Sequence, residues 1–342
     1  MIVYASSVEQ FNFDVTRNHI SDIIVEKMKE YNISGGQKNE YMSWINSLQF
    51  MKNVLDSKDI PLDANVAIEY QIPRTSKRVD FIISGADEYG KDNVIVIELK
   101  QWTKAEKIND ERVHSVLSYT GGALRQVNHP SYQAYAYSVF IKNASATVQD
   151  GNISIIPCAY LHNYDDKYVD QLNDPIYKMW YEEAPFFVKS QYDDIQKFIK
   201  KYIKMKSSDS ELLYKIDNGR IRPAKALQDC IVSVLKGNAE FVLLDDQATA
   251  FDICIDMMKD CVNDNQKRTV IIQGGPGTGK SVLAINLLKE LTTRELNASY
   301  VTKNSAPREA YLKLLSKSDL KKEVNLKSLF RSPFKLCSMP IL

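Results

Sequence analysis

The stretch VIVIELKQW, residues 94–102, decides how the rest of the chain is read. Val94, Ile95, Val96 and Ile97 are apolar and β-prone, and the run ends in Glu98 and Lys100. Side chains two residues apart on a strand point to one face. A carboxylate and an ammonium at the end of a buried strand cost several kcal/mol each unless they are paired or bound to metal. The preceding run VDFIIS, residues 79–84, is a second strand, and the polar turn SGADEYGKDN makes an antiparallel hairpin of the two. Such a hairpin lays Asp80 beside Glu98 and Lys100.

Working outward, Val66, Ile68, Tyr70 and Ile72 alternate in NVAIEYQIP, a third strand that Pro73 ends. Arg74, Lys77 and Arg78 form a basic turn after it. Upstream, residues 2–4 are a short strand candidate. Residues 18–31 carry Ile20, Ile23, Ile24 and Met28 on one helical stripe. Gly35 and Gly36 break the chain, and residues 39–56 repeat Tyr41, Ile45, Leu48 and Leu55 at helical spacing. Glu40 lies in the first turn of that helix. It is either an acid favoured there by the helix dipole or an additional carboxylate delivered to a metal. Downstream, HPSYQAYAYSVFI is a helix starting near Pro130, with Gln133 and Tyr137 one turn apart on one face. NISIIPCAYLH, residues 152–162, is a further strand and APFFVKSQ a short edge strand. Residues 192–205 close the module with Ile195, Phe198, Ile199 and Ile203 on one stripe.

The arrangement of Asp80 with Glu98-Leu99-Lys100 resembles the PD-(D/E)XK nuclease superfamily, and the Q-x-x-x-Y helix after it resembles its RecB-like members. The resemblance spans roughly residues 35–145. It departs from the family at Val79, where a proline usually precedes the aspartate. It implies a restriction-endonuclease-like α/β core and phosphodiester hydrolysis with Mg²⁺ or Mn²⁺. Asp80, Glu98 and the Leu99 carbonyl would be the metal ligands, hard oxygen donors suited to these ions. Lys100 would orient the attacking water or stabilise charge at phosphorus, and Gln133 and Tyr137 would fix the phosphate or the lysine. Arg74, Lys77, Arg78, Lys104 and Arg125 are candidates for backbone contacts. His114 and His129 are expected to be ordinary polar residues, and His19 and His162 structural.

A small polar run at residues 206–211 marks the preferred boundary, giving a module over 1–205, a helical connector over 206–239 and a second module over 240–342. In the connector, residues 224–235 are helical by pattern. The second module holds TVIIQGGPGTGKSVLAINLLKEL, which carries G-x-x-x-x-G-K-[ST] as Gly274, Gly275, Pro276, Gly277, Thr278, Gly279, Lys280 and Ser281. An apolar strand over 269–272 and an amphipathic helix from Lys280 flank the loop. Backbone N–H groups of the loop would wrap the phosphates of ATP, Lys280 would neutralise the β- and γ-phosphates and Ser281 would hold the Mg²⁺. Gln247 stands where a glutamine reads adenine in superfamily 1 helicases. Residues 298–303 are the next strand and 304–315 its helix. The whole resembles the first RecA-like domain of such helicases, a type also found in the Schlafen group. After Ser281 no apolar strand ends in Asp-Glu, so the module is expected to be partial and truncated, binding nucleotide with little hydrolysis and no unwinding.

The net charge of +1 announces no polyanion partner, so any nucleic-acid contact must be local. The five cysteines lack CxxC spacing, which fits reduced, cytoplasmic thiols. The first residues lack a basic n-region, and no apolar run is long enough to span a bilayer. The resemblances together imply a nuclease–helicase acting on nucleic acid, DNA rather than RNA, in defence or repair. The alternatives are a nucleic-acid-binding, nucleotide-sensing module without cleavage, and a non-functional fragment.

Overall fold

A computed structural model describes residues 1–33, 38–73, 75, 77–220, 242–275, 277–294, 296–303, 305, 309 and 330–332, without side chains for 38 and 39. The chain divides into two compact units, Met1–Arg222 and Pro223–Leu342.

The first unit is mixed α/β. In chain order it runs β1 (Ile2–Ser7), α1 (Val8–Thr16), α2 (Ile20–Glu30), α3 (Lys38–Leu55), β2 (Asn65–Gln71), β3 (Arg78–Ala86) and β4 (Asp92–Lys100). Then come β5 (Ala105–Lys107), β6 (Ser115–Thr120), β7 (Ala123–Asn128), α4 (Pro130–Ala144), α5 (Ala146–Asp150) and β8 (Ser154–Leu161). It closes with α6 (Val169–Leu172), α7 (Lys178–Glu183), β9 (Phe186–Val188), α8 (Tyr192–Tyr202) and α9 (Leu212–Asn218). Six strands form one sheet in the order β1-β2-β3-β4-β8-β9. β1 to β4 are antiparallel, whereas β4–β8 and β8–β9 are parallel. The change of direction follows from connection length: hairpins join β2, β3 and β4, and the crossover containing α4 returns the chain to lay β8 alongside β4.

Alternation along the strands sorts the two faces. Ile68, Phe81, Ile83, Ile95 and Ile97 join Phe11, Ile24, Leu48, Met51, Leu55, Ile195 and Ile199 in one core under α1, α2, α3 and α8. α4 packs on β4 and β8 from the other side. The hairpin, the α2, α3 and α4 helices, the closing helix and the edge strand thus lie where their periodicity put them. Gly85 is demanded by packing. A Cβ there would stand 2.7 Å from the Met205 carbonyl oxygen and 2.8 Å from Ile203 Cγ2.

Three elements differ from the sequence reading. α1 occupies a stretch with no clear apolar stripe; Ser7 caps it by accepting from the Gln10 N–H, and Phe11 and Val15 bury. β5, β6 and β7 form a separate three-stranded sheet between β4 and α4. Residues 269–272 are not a strand, and Val270, Ile271 and Ile272 are exposed. A strand exists by its ladder partners, and among the described residues none pairs with this run. The described sheet of the second unit is the short parallel pair Tyr300–Val301 with Phe330–Arg331, and its longest helices are Asp246–Asp264 and Lys280–Thr293. The expected helix over 224–235, most of that over 304–315, and Arg74 and Pro276 lie outside the described residues. None of the described helices is long and apolar enough to cross a membrane.

Candidate functional site

Phe81 pairs with Ile97 in the β3–β4 ladder, so the next step brings Asp80 opposite Glu98. Residues directly opposite on antiparallel strands share a face, and the two carboxyl groups are near enough for Glu98 to bear on the ionisation of Asp80. Asp80 Oδ2 also accepts from the Leu99 N–H at 2.8 Å. Loss of water raises the Asp80 pKa; Lys100, the Leu99 N–H, Glu98 and Arg78 pull it back. Two carboxyls this close hold either a shared proton or a cation between them.

Glu98 is buried, and its Oε1 accepts from Lys100 Nζ at 2.6 Å. Lys100 Nζ donates also to Gln133 Oε1 at 3.0 Å and sits over the Trp102 ring, 5.3 Å from its centroid. Gln133 Nε2 in turn donates to the Tyr137 hydroxyl at 2.9 Å. The chain Glu98–Lys100–Gln133–Tyr137 therefore spans β4 and α4. Period two explains the division of labour at the end of β4. Glu98 and Lys100 turn toward α4, while Gln101 turns to α3 and donates to Ser43 Oγ and Ser47 Oγ at 2.7 and 3.1 Å.

α4 is placed by its first turn. Pro130 takes the first helical position and His129 caps it, Nδ1 accepting from the Ser131 N–H at 3.2 Å. His129 is fully buried, stacks on Tyr177 and donates Nε2–H to the Leu172 carbonyl at 3.1 Å. Burial lowers its pKa to about 4. His162 is likewise buried, against Phe50 and Ser47, and lowered to about 4.

Glu40 Oε1 accepts from Arg78 Nη2 at 2.7 Å. Arg78 Nε also pairs with Glu69 Oε2 at 2.8 Å, so this guanidinium is engaged by acids. Lys104 pairs with Glu106 at 3.1 Å, and Arg125 is exposed.

Glu69 is the residue that alternation concealed. In NVAIEYQIP it reads as the solvent-facing partner of Ile68 and Tyr70. Instead it is buried, at a φ of +56°, and accepts from Trp44 Nε1 at 2.7 Å. Ile68 pairs with Phe81 and Tyr70 with Val79, so Glu69 stands opposite Asp80. Burial and the neighbouring Asp80 raise its pKa to about 7 against the pull of Arg78 and Trp44. A non-glycine residue in the left-handed region costs about 1–2 kcal/mol, and its occurrence beside an acid pair is the signal that only coordinates give. Even so, among the described residues no group of three or more His, Cys, Asp or Glu is placed to hold a metal ion. Asp80 and Glu98 would supply two side chains, and the Leu99 carbonyl a backbone oxygen.

In the second unit, Gly277 and Gly279 have φ of +78° and +82°, conformations glycine adopts without strain. Lys280 Nζ donates to the Gly274 and Gly275 carbonyls, each at 2.6 Å, and Thr278 Oγ1 donates to the Gly275 carbonyl at 2.9 Å. Ser281 is exposed in the first turn of the following helix. Gln247 Nε2 donates to the Thr278 carbonyl at 3.0 Å, and its Oε1 accepts from the Leu244 N–H at 3.1 Å. Its amide thus braces the loop's backbone.

Residues 267–338 match the family model Schlafen group 3, DNA/RNA helicase domain. The Schlafen match takes in the glycine loop, Lys280, Ser281 and the helix behind them, and lies wholly within the second unit. Comparisons with curated proteins and with solved structures return no match.

Proposed function

We propose that the first unit is a divalent-metal-dependent phosphodiesterase acting on nucleic acid, with a restriction-endonuclease-like core, and that the second binds a nucleoside triphosphate at its glycine loop. The observation that carries the first half is the register that sets Asp80 opposite Glu98 on β3 and β4, beside a lysine tied to Gln133 and Tyr137. Hard carboxylate oxygens fit Mg²⁺ or Mn²⁺, which take one or two carboxylates and keep several waters. Asp80 and Glu98 would hold the ion with the Leu99 carbonyl. When bound, it would neutralise phosphate oxygens and lower the pKa of its water.

Lys100 supplies a fixed positive charge for the oxygen that gains charge as the P–O bond breaks. Gln133, oriented by the Tyr137 hydroxyl, keeps the ammonium from folding wholly onto Glu98. Nucleic acid as the polymer is supported by the Schlafen group 3 match in the same chain. Nucleotide binding is supported by the positive-φ glycines and by Lys280, whose ammonium sits on the loop carbonyls and is free to exchange them for phosphate oxygens.

The test is cleavage of labelled single- and double-stranded DNA and RNA in Mn²⁺ or Mg²⁺. Metal-dependent cutting that vanishes in Lys100→Ala, with circular dichroism unchanged, is the expected result. A second reading, binding and nucleotide sensing without cleavage, is favoured by the close Glu98–Lys100 pair and by the lack, among the described residues, of a third converging acid. Tight binding with no metal-dependent product would select it.

A further inference from the structure

The small sheet between β4 and α4 ends in a tip with unusual surface chemistry. Gly121 and Gly122, with φ of +57° and +81°, join β6 to β7. Positive φ at both positions gives a tight two-residue turn whose twist suits the flanking strands. Tyr119 pairs with Leu124 across the strands, so the two share a face. They are 64% and 56% exposed. The Tyr119 hydroxyl donates to the Gly122 carbonyl at 2.8 Å, which ties the ring to the turn. Arg125 follows, exposed, its guanidinium carbon lying 3.6 Å from where a Cβ on Gly121 would stand. Between residues 116 and 127 Arg125 is the one charged side chain. The tip therefore offers an aromatic face, an aliphatic contact and a cation, and the carboxylate that follows on that face, Glu106 opposite Leu117, is paired with Lys104.

Its position follows from the ladder. Ser118 pairs with Ala105, and Ser118 Oγ donates to the Lys104 carbonyl at 2.9 Å. Ala105 lies five residues after Lys100, at most about 18 Å of extended chain. At the other end, β7 runs directly into His129 and α4, which carries Gln133. One root of the hairpin thus leads into the helix that carries Gln133, and its middle is tied to a strand that begins a short run of chain after Lys100. Aromatic rings in solvent beside a cation are how proteins hold unpaired bases, since every base has a stacking face. A duplex keeps those faces covered.

We infer that the β6–β7 tip is a base-stacking contact for an unpaired strand leading to the Asp80–Glu98 centre, and that the substrate class is single-stranded nucleic acid. The role rests on the phosphodiesterase proposed above, so its test reads binding rather than cutting. The full chain, in EDTA, is titrated into a single-stranded oligonucleotide carrying 2-aminopurine and into the matching duplex. Wild type binds the single strand more tightly than the duplex. Tyr119→Ala weakens single-strand binding by about tenfold and Tyr119→Phe does not, while duplex binding is unmoved. Undiminished single-strand binding by Tyr119→Ala, or equal losses for strand and duplex, overturns the inference and leaves the patch to another partner. Absence of cutting in Mn²⁺ with the Tyr119 effect intact would remove the catalytic proposal alone.

Discussion

Lys100 is the residue on which the proposed chemistry turns, because one ammonium joins Glu98, Gln133 and the Trp102 ring. Replacing it with alanine is expected to slow metal-dependent cleavage by about 100-fold or more, read as initial rates in Mn²⁺. Rates like wild type would end the assignment. Glu69 predicts a pH effect on stability. Folding raises its pKa from 4.5 to about 7, so the folded state holds a proton that the unfolded state has released between these values. Its contribution is complete below about 4.5 and is lost as pH rises to about 7. Asp80, raised for the same reason, adds a contribution of the same sign. The change in urea midpoint from pH 4.5 to 7 should therefore be more positive in Glu69→Gln than in wild type, since the variant lacks this loss. Identical slopes would mean that Glu69 is ionised throughout.

At the scale of elements, α4 and β3 each hang on one residue. His129 caps α4 from a site without water, and its pKa is lowered to about 4. A base that charges more readily when unfolded stabilises the fold above its unfolded value of 6.5 and loses that contribution as pH falls toward 4. His162 behaves alike. His129→Asn keeps a capping acceptor and removes one of these two contributions, so the acid limb of stability below pH 6.5 should flatten. An unchanged acid limb would show His129 to be indifferent to titration. Gly85 lets β3 pass beneath the segment after α8. Gly85→Ala, which forces a Cβ against the Met205 carbonyl and Ile203, should cost about 1–3 kcal/mol in urea unfolding. The β6–β7 hairpin, by contrast, was open to reading: Gly121-Gly122 between two short runs is a turn signal. Its strands, SVLSYT and ALRQVN, are short and largely polar, so periodicity gave them little weight.

For the whole molecule, the acid centre and the glycine loop fall in separate units, Met1–Arg222 and Pro223–Leu342. Lys280→Ala should abolish binding of a fluorescent ATP analogue and leave metal-dependent cutting by the full chain within about twofold, since the Glu98–Lys100, Lys100–Gln133 and Gln133–Tyr137 bonds are all made within the first unit. Loss of cutting in that variant would mean that the loop governs the acid centre.

The helices α2, α3, α4 and α8, the strands β2, β3, β4, β8 and β9, and the spacing Asp80, Glu98, Lys100, Gln133 and Tyr137 were legible from local pattern. Alternation of two and of 3.6 residues states which side chains share a face, and a hairpin fixes what lies opposite. The glycine loop was legible because its backbone needs glycine where φ is positive. What the linear chain did not disclose depends on partners distant in it. Glu69 looked solvent-facing, yet its φ of +56° and its bond to Trp44 bury it. Glu40 took Arg78 as its partner. Residues 269–272 looked like a strand by composition, but a strand is made by neighbours that supply the other half of each hydrogen bond, and only the tertiary structure decides whether they are there.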